Sequence, residues 1–390
     1  MNGKDLFSGL SYISKKYINE AENEVVSGKA GKFEAATHGK TLFHKSLLIA
    51  AVVATMLFLM GAAVYTHWSG SLQHLYKPTE NAKQQAEKTG LSVMYEESKP
   101  EDGSILSATD QGITVSVVQT LVDQGQAKIV LRIEGFTPPE ETLVQPIAWW
   151  NEDPPTLDGN SEILGSVNVD FDTGTTITPD WEEIYWDGAP VEHYEDGWPI
   201  YHYTRNDGSM ELVVWYRFQD TSGEHLGKEY ALHLTGFGIA RQKGPADDTF
   251  EKLVDGHWDL RFPLTGSNES IKATPNARLS DNVTLTEAEI GEIFIKTQYK
   301  TDTYFAEWEE LGILQPDIAG VKLKDGTLIK FFLSSEGYSD QDNLIYFKEA
   351  YATDGIVDLA QVDSLVYYER WDQDPETGKS VPVYKYVPLS

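Results

Sequence analysis

Five of the ten tryptophans in the chain lie in one acidic stretch, residues 133–204, which holds sixteen Asp and Glu residues and no Lys or Arg. These five are Trp149, Trp150, Trp181, Trp186 and Trp198. Aromatic rings beside carboxylates can bind a carbohydrate, because rings stack on the C–H faces of sugars while carboxylates accept hydrogen bonds from hydroxyls. Such rings can also bind a cation. The five tryptophans are therefore a candidate ligand surface. The alternative is that they fill a core beneath an acidic loop surface.

The sequence carries no motif of a known catalytic chemistry. It has no nucleophile elbow, phosphate-binding loop, zinc-protease helix or dinucleotide fingerprint. Cysteine is absent, which excludes disulfides, thiolate zinc sites and a cysteine nucleophile. The acidic turns 170–174 and 372–378 offer carboxylates for calcium, but neither matches an EF-hand loop. We therefore assign no catalytic residue, cofactor or metal ligand, and expect a protein that is not an enzyme.

A second candidate site is an apolar stripe near the N-terminus, formed by Leu6, Leu10, Ile13 and Tyr17. Their spacing places them on one face of a helix. About twenty residues cannot form a core, so the stripe needs a partner or the membrane surface. The pattern predicts a docking helix for a cytoplasmic protein such as a sigma factor. The alternative is a tail without a partner.

The apolar run Ser46–Thr66 follows this tail and contains no Asp, Glu, Lys or Arg. As a helix it is roughly 30 Å long, which matches the hydrocarbon core of a bilayer. Tyr65 and Trp68 stand where interfacial aromatic residues belong. The tail before the run is far longer than the charged region of a signal peptide. We therefore predict an uncleaved membrane anchor.

Charge predicts the orientation of this anchor. Residues 1–45 carry seven Lys against five acidic residues, whereas the residues after the span carry 24 basic and 56 acidic side chains. The positive-inside rule then places the N-terminus in the cytoplasm and the C-terminal domains outside the cell membrane. The net charge of −30 also argues against a nucleic-acid partner, because both would be negative.

The rest of the chain has the alternation of β-strands. Residues 127–134, 210–218 and 258–264 each place apolar side chains on one face. Residues 321–332 form the clearest hairpin, with Asp325-Gly326 at the turn. The predicted fold class is mainly β, with two extracellular antiparallel β-sandwich (Ig-like) domains after one transmembrane helix.

Five segments follow from these patterns. A polar helix is expected at residues 78–88, ended by Gly90. The segments are a cytoplasmic tail with an amphipathic helix (1–45), the transmembrane helix (46–66), an extracellular stalk (67–104), β-sandwich domain 1 (105–245) and β-sandwich domain 2 (246–390).

Three stretches together resemble one bacterial family. They are DLFSGLSYISKKYINEAENE before the span, VLRIEGF in the first β-domain and LVDGHWDLRFPL before the second. The chain is similar in these stretches to Firmicutes single-pass membrane proteins with the domain-of-unknown-function family 4179, some of which are anti-sigma-factor-like. The resemblance implies a β-rich ectodomain and brings no catalytic residues.

The expected function is that of a membrane-anchored extracytoplasmic sensor or regulator, anti-sigma-factor-like and non-enzymatic. The alternative is a cell-surface binding or structural module, for wall glycan or a cationic ligand, that uses the span only as an anchor.

Overall fold

A computed structural model gives the fold of residues 68–95, 103–139, 144–150, 154–161, 164, 166–172, 175–177, 184–186, 189–190, 202–205, 207–218, 221–242, 248–304, 307–311, 315–340, 344–374, 378 and 380–389. All of them belong to one compact unit, Tyr65–Ser390. The predicted docking helix with Leu6, Leu10, Ile13 and Tyr17 lies outside the described residues, as does the predicted span at residues 46–66.

Short helices stand at the start of the described chain. They are α1 (Gly70–Tyr76) and α2 (Glu80–Thr89). Thr79 caps the start of α2 by accepting a hydrogen bond from the Ala82 N–H, and Gly90 ends it with a φ of 77°. The polar helix and its glycine stop are therefore confirmed. Later in the chain stand α3 (Trp308–Leu311) and a 3₁₀ turn (Leu359–Gln361). Among the described residues, no helix has the length and apolar character needed to cross a membrane.

Most described residues form β-strands. In the first β-half, which we define as residues 92–264, the strands are β1 (Ser92–Met94), β2 (Ser107–Asp110), β3 (Ile113–Val122), β4 (Gln126–Glu134), β5 (Val144–Trp149), β6 (Thr156–Leu157), β7 (Ser166–Phe171), β8 (Thr175–Ile177), β9 (Ile184–Trp186), β10 (Ala189–Pro190), β11 (Met210–Arg217), β12 (Glu229–Gln242) and β13 (Asp248–Pro263).

The second β-half comprises residues 265–389. Its described strands are β14 (Ile271–Ala273), β15 (Ala277–Ser280), β16 (Val283–Ile290), β17 (Phe294–Thr301), β18 (Ile318–Leu323), β19 (Leu328–Asp340), β20 (Ile345–Ala352), β21 (Val362–Gln373) and β22 (Ser380–Pro388). The predicted hairpin is confirmed, because β18 and β19 flank Asp325-Gly326 and pair with each other.

The described strands pair antiparallel throughout and form four sheets. The sheet with the order β1-β3-β4-β11-β7, with β2 added on β3, is called the central sheet below. A second sheet has the order β13-β12-β5, with β6 added on β12, and a third has the order β10-β9-β8. The second half contains one nine-stranded sheet, ordered β14-β16-β17-β20-β19-β18-β21-β22, with β15 on β16. The mainly β, antiparallel fold class is thereby confirmed.

The central sheet has apolar residues on both faces. Ile129, Leu131 and Ile133 on β4 join Trp258 in a core that also draws on β12 and β13. Val130, between them in sequence, belongs instead to the core of the second half. Because successive residues of a strand point to opposite faces, β4 contacts one core on each side.

The connection between β12 and β13 contains residue 245, the predicted domain boundary. β12 and β13 pair from Glu229↔Pro263 to Gln242↔Asp248. Trp258 on β13 is fully buried, and its indole N–H donates a 2.9 Å hydrogen bond to the Ile113 carbonyl of β3. The pairing thus groups residues up to about 264 with the first β-half.

The buried Trp258 and the exposed Phe250 on the same strand give a matched test of this core. Trp258→Ala should lower the free energy of unfolding by about 3–5 kcal/mol, because it leaves a cavity and removes the hydrogen bond to Ile113. Phe250 is 66% exposed, so Phe250→Ala should change that free energy by less than about 0.5 kcal/mol. Urea titration followed by circular dichroism measures both. Equal losses in the two variants would contradict this description of β13.

Candidate functional site

The segment that begins at Trp68 is built into the core. Trp68 is only 2% exposed, and Leu72, Tyr76 and Leu91 are fully buried among residues of the second β-half. We call residues 68–95 the N-terminal segment. The sequence predicts an extracellular stalk over residues 67–104, whereas several apolar side chains of the described part of that range lie in the core. The reason is the spacing of Leu72 and Tyr76, which lie four residues apart on one side of α1, while Trp68 lies just before the N-cap Ser69.

One buried side-chain amide holds both ends of this segment. The Gln119 carbonyl oxygen accepts a 2.8 Å hydrogen bond from the Ser69 N–H, and its NH₂ group donates one of 2.8 Å to the Ser92 hydroxyl. Gln119 lies on β3 next to a register shift between Val117 and Gln119 in the pairing with β4. Such a bulge can re-aim a side chain, and here the amide reaches both ends of the segment.

A buried carboxylate fixes the start of α1. Glu211 on β11 accepts hydrogen bonds from the Ser71 N–H at 2.8 Å and the Gly70 N–H at 3.3 Å, and the Ser71 hydroxyl also donates to it. The guanidinium of Arg205 lies 3.0 Å from Glu211 and 2.7 Å from Asp172. A carboxylate at a helix N-terminus satisfies N–H groups that have no partner within the helix. We call Glu211, Arg205 and Asp172 the clamp.

A buried lysine connects the N-terminal segment with both β-halves. The ammonium of Lys128 on β4 lies 4.5 Å from the ring centroid of Trp215 on β11. It also lies 5.3 Å from the ring centroid of Tyr76 on α1 and 5.8 Å from that of Tyr351 on β20. Aromatic faces attract a cation, and the attraction is larger away from water. The side of β4 that carries Lys128 is therefore an internal contact between three parts of the chain.

The two β-halves meet at the turn between β3 and β4. One carboxylate oxygen of Asp123 accepts hydrogen bonds from the N–H groups of Gly125 and Gln126, at 2.9 and 3.0 Å. Its other oxygen accepts a 3.1 Å bond from the Ile293 N–H in the second half. The adjacent Glu292 is also buried and accepts a 3.0 Å bond from the Thr89 hydroxyl of α2. Two buried carboxyl groups thus lie at the junction.

Burial raises the pKa of Asp123 to about 7, outweighing the three backbone N–H groups that lower it, and the neighbouring Glu292 adds to the increase. The pKa of Glu292 is also raised, first by burial, while the hydroxyls of Ser267 and Thr89 oppose the increase. A cavity of about 20 Å³ beside this junction, lined by Gln126 and Tyr351 among others, has room for a single water molecule. This cavity is too small for an organic ligand.

The structure places two of the five predicted ligand-surface tryptophans. Trp149 ends β5 and pairs with Gly236 of β12, and its carbonyl accepts a 3.4 Å bond from the Thr235 hydroxyl. Trp150 packs against the core that contains Ile129 and Trp258. Trp186 lies on the described strand β9, but its side chain lies outside the described residues, as do Trp181 and Trp198. The predicted surface stays a prediction.

The clamp, the Lys128 contacts and the junction are absent from the sequence predictions. Hydrogen bonds such as that between Ser71 and Glu211 join residues 140 positions apart, and no local pattern indicates such a pair. One usable signal existed, the i, i+4, i+8 spacing of large apolar residues that starts at Trp68.

Comparisons with known proteins add little to this geometry. No protein-family model matches the chain. No curated protein matches it either. A solved structure described as the conserved domain protein from Bacillus anthracis is similar with 11% sequence identity, over 77% of this chain and 95% of that chain, at a TM-score of 0.39. A likeness of this size supports no functional argument.

The buried carboxyl of Asp123 predicts a pH-dependent stability. In the unfolded chain its pKa returns to about 4. Between pH 4 and 7 the folded chain therefore holds a proton that the unfolded chain has released. The free energy of unfolding should fall as pH rises through this window, by up to about 1.4 kcal/mol per pH unit.

The measurement is the melting temperature at pH 5 and pH 8 for the unaltered chain and Asp123→Asn. The fall between the two pH values should be smaller in the variant. Asp325→Asn is the control, because Asp325 also accepts a backbone N–H in a turn but is fully exposed. An equal fall in Asp123→Asn and the unaltered chain would contradict the assignment.

Proposed function

We propose that the chain is a membrane-anchored extracytoplasmic sensor or regulator, anti-sigma-factor-like and without enzymatic activity. In this proposal the span at residues 46–66 anchors it with the N-terminus in the cytoplasm, and the β-rich part lies outside the cell membrane. The single observation that carries the proposal is the burial of Trp68, two positions after the predicted span, in the core shared by both β-halves.

A short rigid connection can transmit a change, whereas a flexible tether cannot. The N–H groups of Ser69 and Ser71 are bonded to Gln119 on β3 and to Glu211 on β11. A rearrangement of the central sheet would therefore move the start of α1, and with it the end of the predicted span. The proposed mechanism is a shift in the docking of the N-terminal segment, biased by a signal outside and passed on through the span.

In this proposal the change reaches the cytoplasm at the predicted docking helix, which contains Leu6, Leu10, Ile13 and Tyr17. Its apolar stripe would bind a cytoplasmic protein such as a sigma factor, and the net charge of −30 leaves nucleic acid an unsuitable partner. The resemblance to membrane proteins with the domain-of-unknown-function family 4179 supports the same reading.

The proposed architecture is a pair of antiparallel, Ig-like β-sandwiches. In the first half, the central sheet and the β13-β12-β5 sheet contribute to one core, which supports a sandwich there. In the second half, Lys385 on β22 donates hydrogen bonds to the carbonyls of Arg278 and Leu279, at 3.1 and 2.7 Å. This contact brings opposite ends of the nine-stranded sheet together, as a folded-over sheet requires.

The alternative function is a surface binding or structural module that uses the span only as an anchor. In that case the packing of the N-terminal segment would only stabilise the domain. The two functions differ in one respect that can be measured. A sensor needs coupling between the clamp and the cytoplasmic helix, and a simple anchor needs none.

The test uses the full chain in its membrane, with a photo-crosslinking residue at position 10. Glu211→Ala removes the acceptor for Gly70 and Ser71 and leaves Arg205 without one of its two carboxylates. It should lower the free energy of unfolding by about 3 kcal/mol. If the clamp is coupled to the helix, the amount of cytoplasmic protein crosslinked should also change several-fold.

Glu251→Ala is the matched control, because it breaks the exposed pair between Glu251 and Arg241, at 3.4 Å. It should change neither stability nor crosslinking measurably. Crosslinking of no cytoplasmic protein would contradict the regulator function. Equal crosslinking in Glu211→Ala and the unaltered chain would favour the simple anchor.

A further inference from the structure

The β21–β22 hairpin carries a cluster of aromatic side chains on one face. They are Tyr368 and Trp371 on β21, and Tyr384 and Tyr386 on β22, and we call them the aromatic face. Trp371 is 61% exposed and Tyr386 is 50% exposed. Large aromatic residues exposed together are uncommon on a soluble surface and mark binding sites.

A break in the strand pairing creates this face. Tyr368 pairs with Tyr384 and Trp371 pairs with Pro382, and the register shifts between Tyr368 and Arg370. In a regular strand, residues three apart point to opposite faces. The extra residue at the shift turns Trp371 to the side of Tyr368, as a β-bulge does.

The rings form a continuous strip. Tyr368 and Trp371 are stacked, with their centroids 5.6 Å apart and their planes at 14°. The centroid of Tyr384 lies 5.6 Å from that of Tyr368 and 6.5 Å from that of Tyr386. The plane of Tyr384 is tilted by 46° to that of Tyr368 and by 65° to that of Tyr386. The strip thus offers several apolar ring faces at different angles, edged by hydroxyl and indole N–H groups that can form hydrogen bonds.

The charged side chains around the strip are two basic and three acidic residues, with a net charge of −1. Arg370 pairs with Asp372 at 3.0 Å and with Glu369 at 3.4 Å. Lys322 lies 5.0 Å from the ring centroid of Tyr386 and 3.7 Å from the Asp363 carboxylate. In a chain with a net charge of −30, this weakly charged surface favours an uncharged ligand.

We propose that the aromatic face binds a neutral, β-linked polysaccharide. The sugar rings of such a chain present flat C–H faces that stack on aromatic rings, and their equatorial hydroxyls point outward to the polar rim. A second copy of this chain is a poorer fit, because two copies at −30 repel each other. Pro382 and Pro388 also lack the N–H groups that an added strand at β22 would use. This inference stands independently of the clamp and of any cytoplasmic partner.

The experiment measures retention of the full, detergent-solubilised chain on particles of cellulose and chitin, both neutral and β-1,4-linked, and of α-linked dextran. We expect retention on cellulose or chitin and none on dextran. Trp371→Ala and Tyr386→Ala should each weaken that retention by roughly tenfold or more, since each removes one stacking ring. Phe250→Ala, an exposed ring on β13, is the control and should retain full binding.

Both variants alter exposed side chains, and an unchanged melting temperature would show that they fold. Absence of retention on cellulose and chitin would overturn the proposal, as would equal retention of Trp371→Ala and the unaltered chain. Retention on dextran alone would overturn it as well. So would a result in which Trp371→Ala changes only the sedimentation coefficient or the binding to neutral phosphatidylcholine vesicles, which would assign the face to a second copy or to a lipid surface.

Discussion

The fold depends most on the burial of one side of α1 against the central sheet and the second β-half. Leu72 and Tyr76 are fully buried there, and the same core contains Val130 of the central sheet and Ile295 of β17. This burial fixes the N-terminal segment, covers the second face of β4 and joins the halves. Apolar area removed from water is the largest favourable contribution to such a contact. The polar contacts of Gln119 and Glu211 fix the position of the N-terminal segment on the central sheet.

Those polar contacts place four ionisable side chains in or beside the buried region, namely Lys128, Asp123, Glu211 and Glu292. Burying a charge is unfavourable unless hydrogen bonds or other charges compensate it. Glu211 has Arg205 and backbone N–H groups, Lys128 has three aromatic rings, and Asp123 has three backbone N–H groups but a raised pKa. The junction is therefore specific in its geometry and sensitive to the protonation of Asp123.

Much of the fold was predictable because its signals are local. Alternation indicated β4 and β11, Asp325-Gly326 indicated the hairpin, and Gly90 indicated the end of α2. The clamp, the Lys128 contacts and the aromatic face were not predicted, because they depend on strand register or join residues far apart in the sequence. The register shifts beside Gln119 and Tyr368 change the direction in which side chains point. The alternation of apolar and polar residues along a strand does not show where such a register shift occurs. The alternation along β4 places Lys128 on the face expected to be polar and exposed. In the structure, Tyr76 of α1 and Tyr351 of β20 cover that face.

The N-terminal segment belongs to the core through Trp68, Leu72, Tyr76 and Leu91 and is not a loose connection. The most direct test is amide hydrogen exchange on the full chain, comparing the amides of residues 69–72 with those of residues 129–131 of β4. Both sets of amides should exchange slowly and at similar rates, because both open only when the shared core opens. Exchange of residues 69–72 within seconds, while residues 129–131 stay protected, would contradict it.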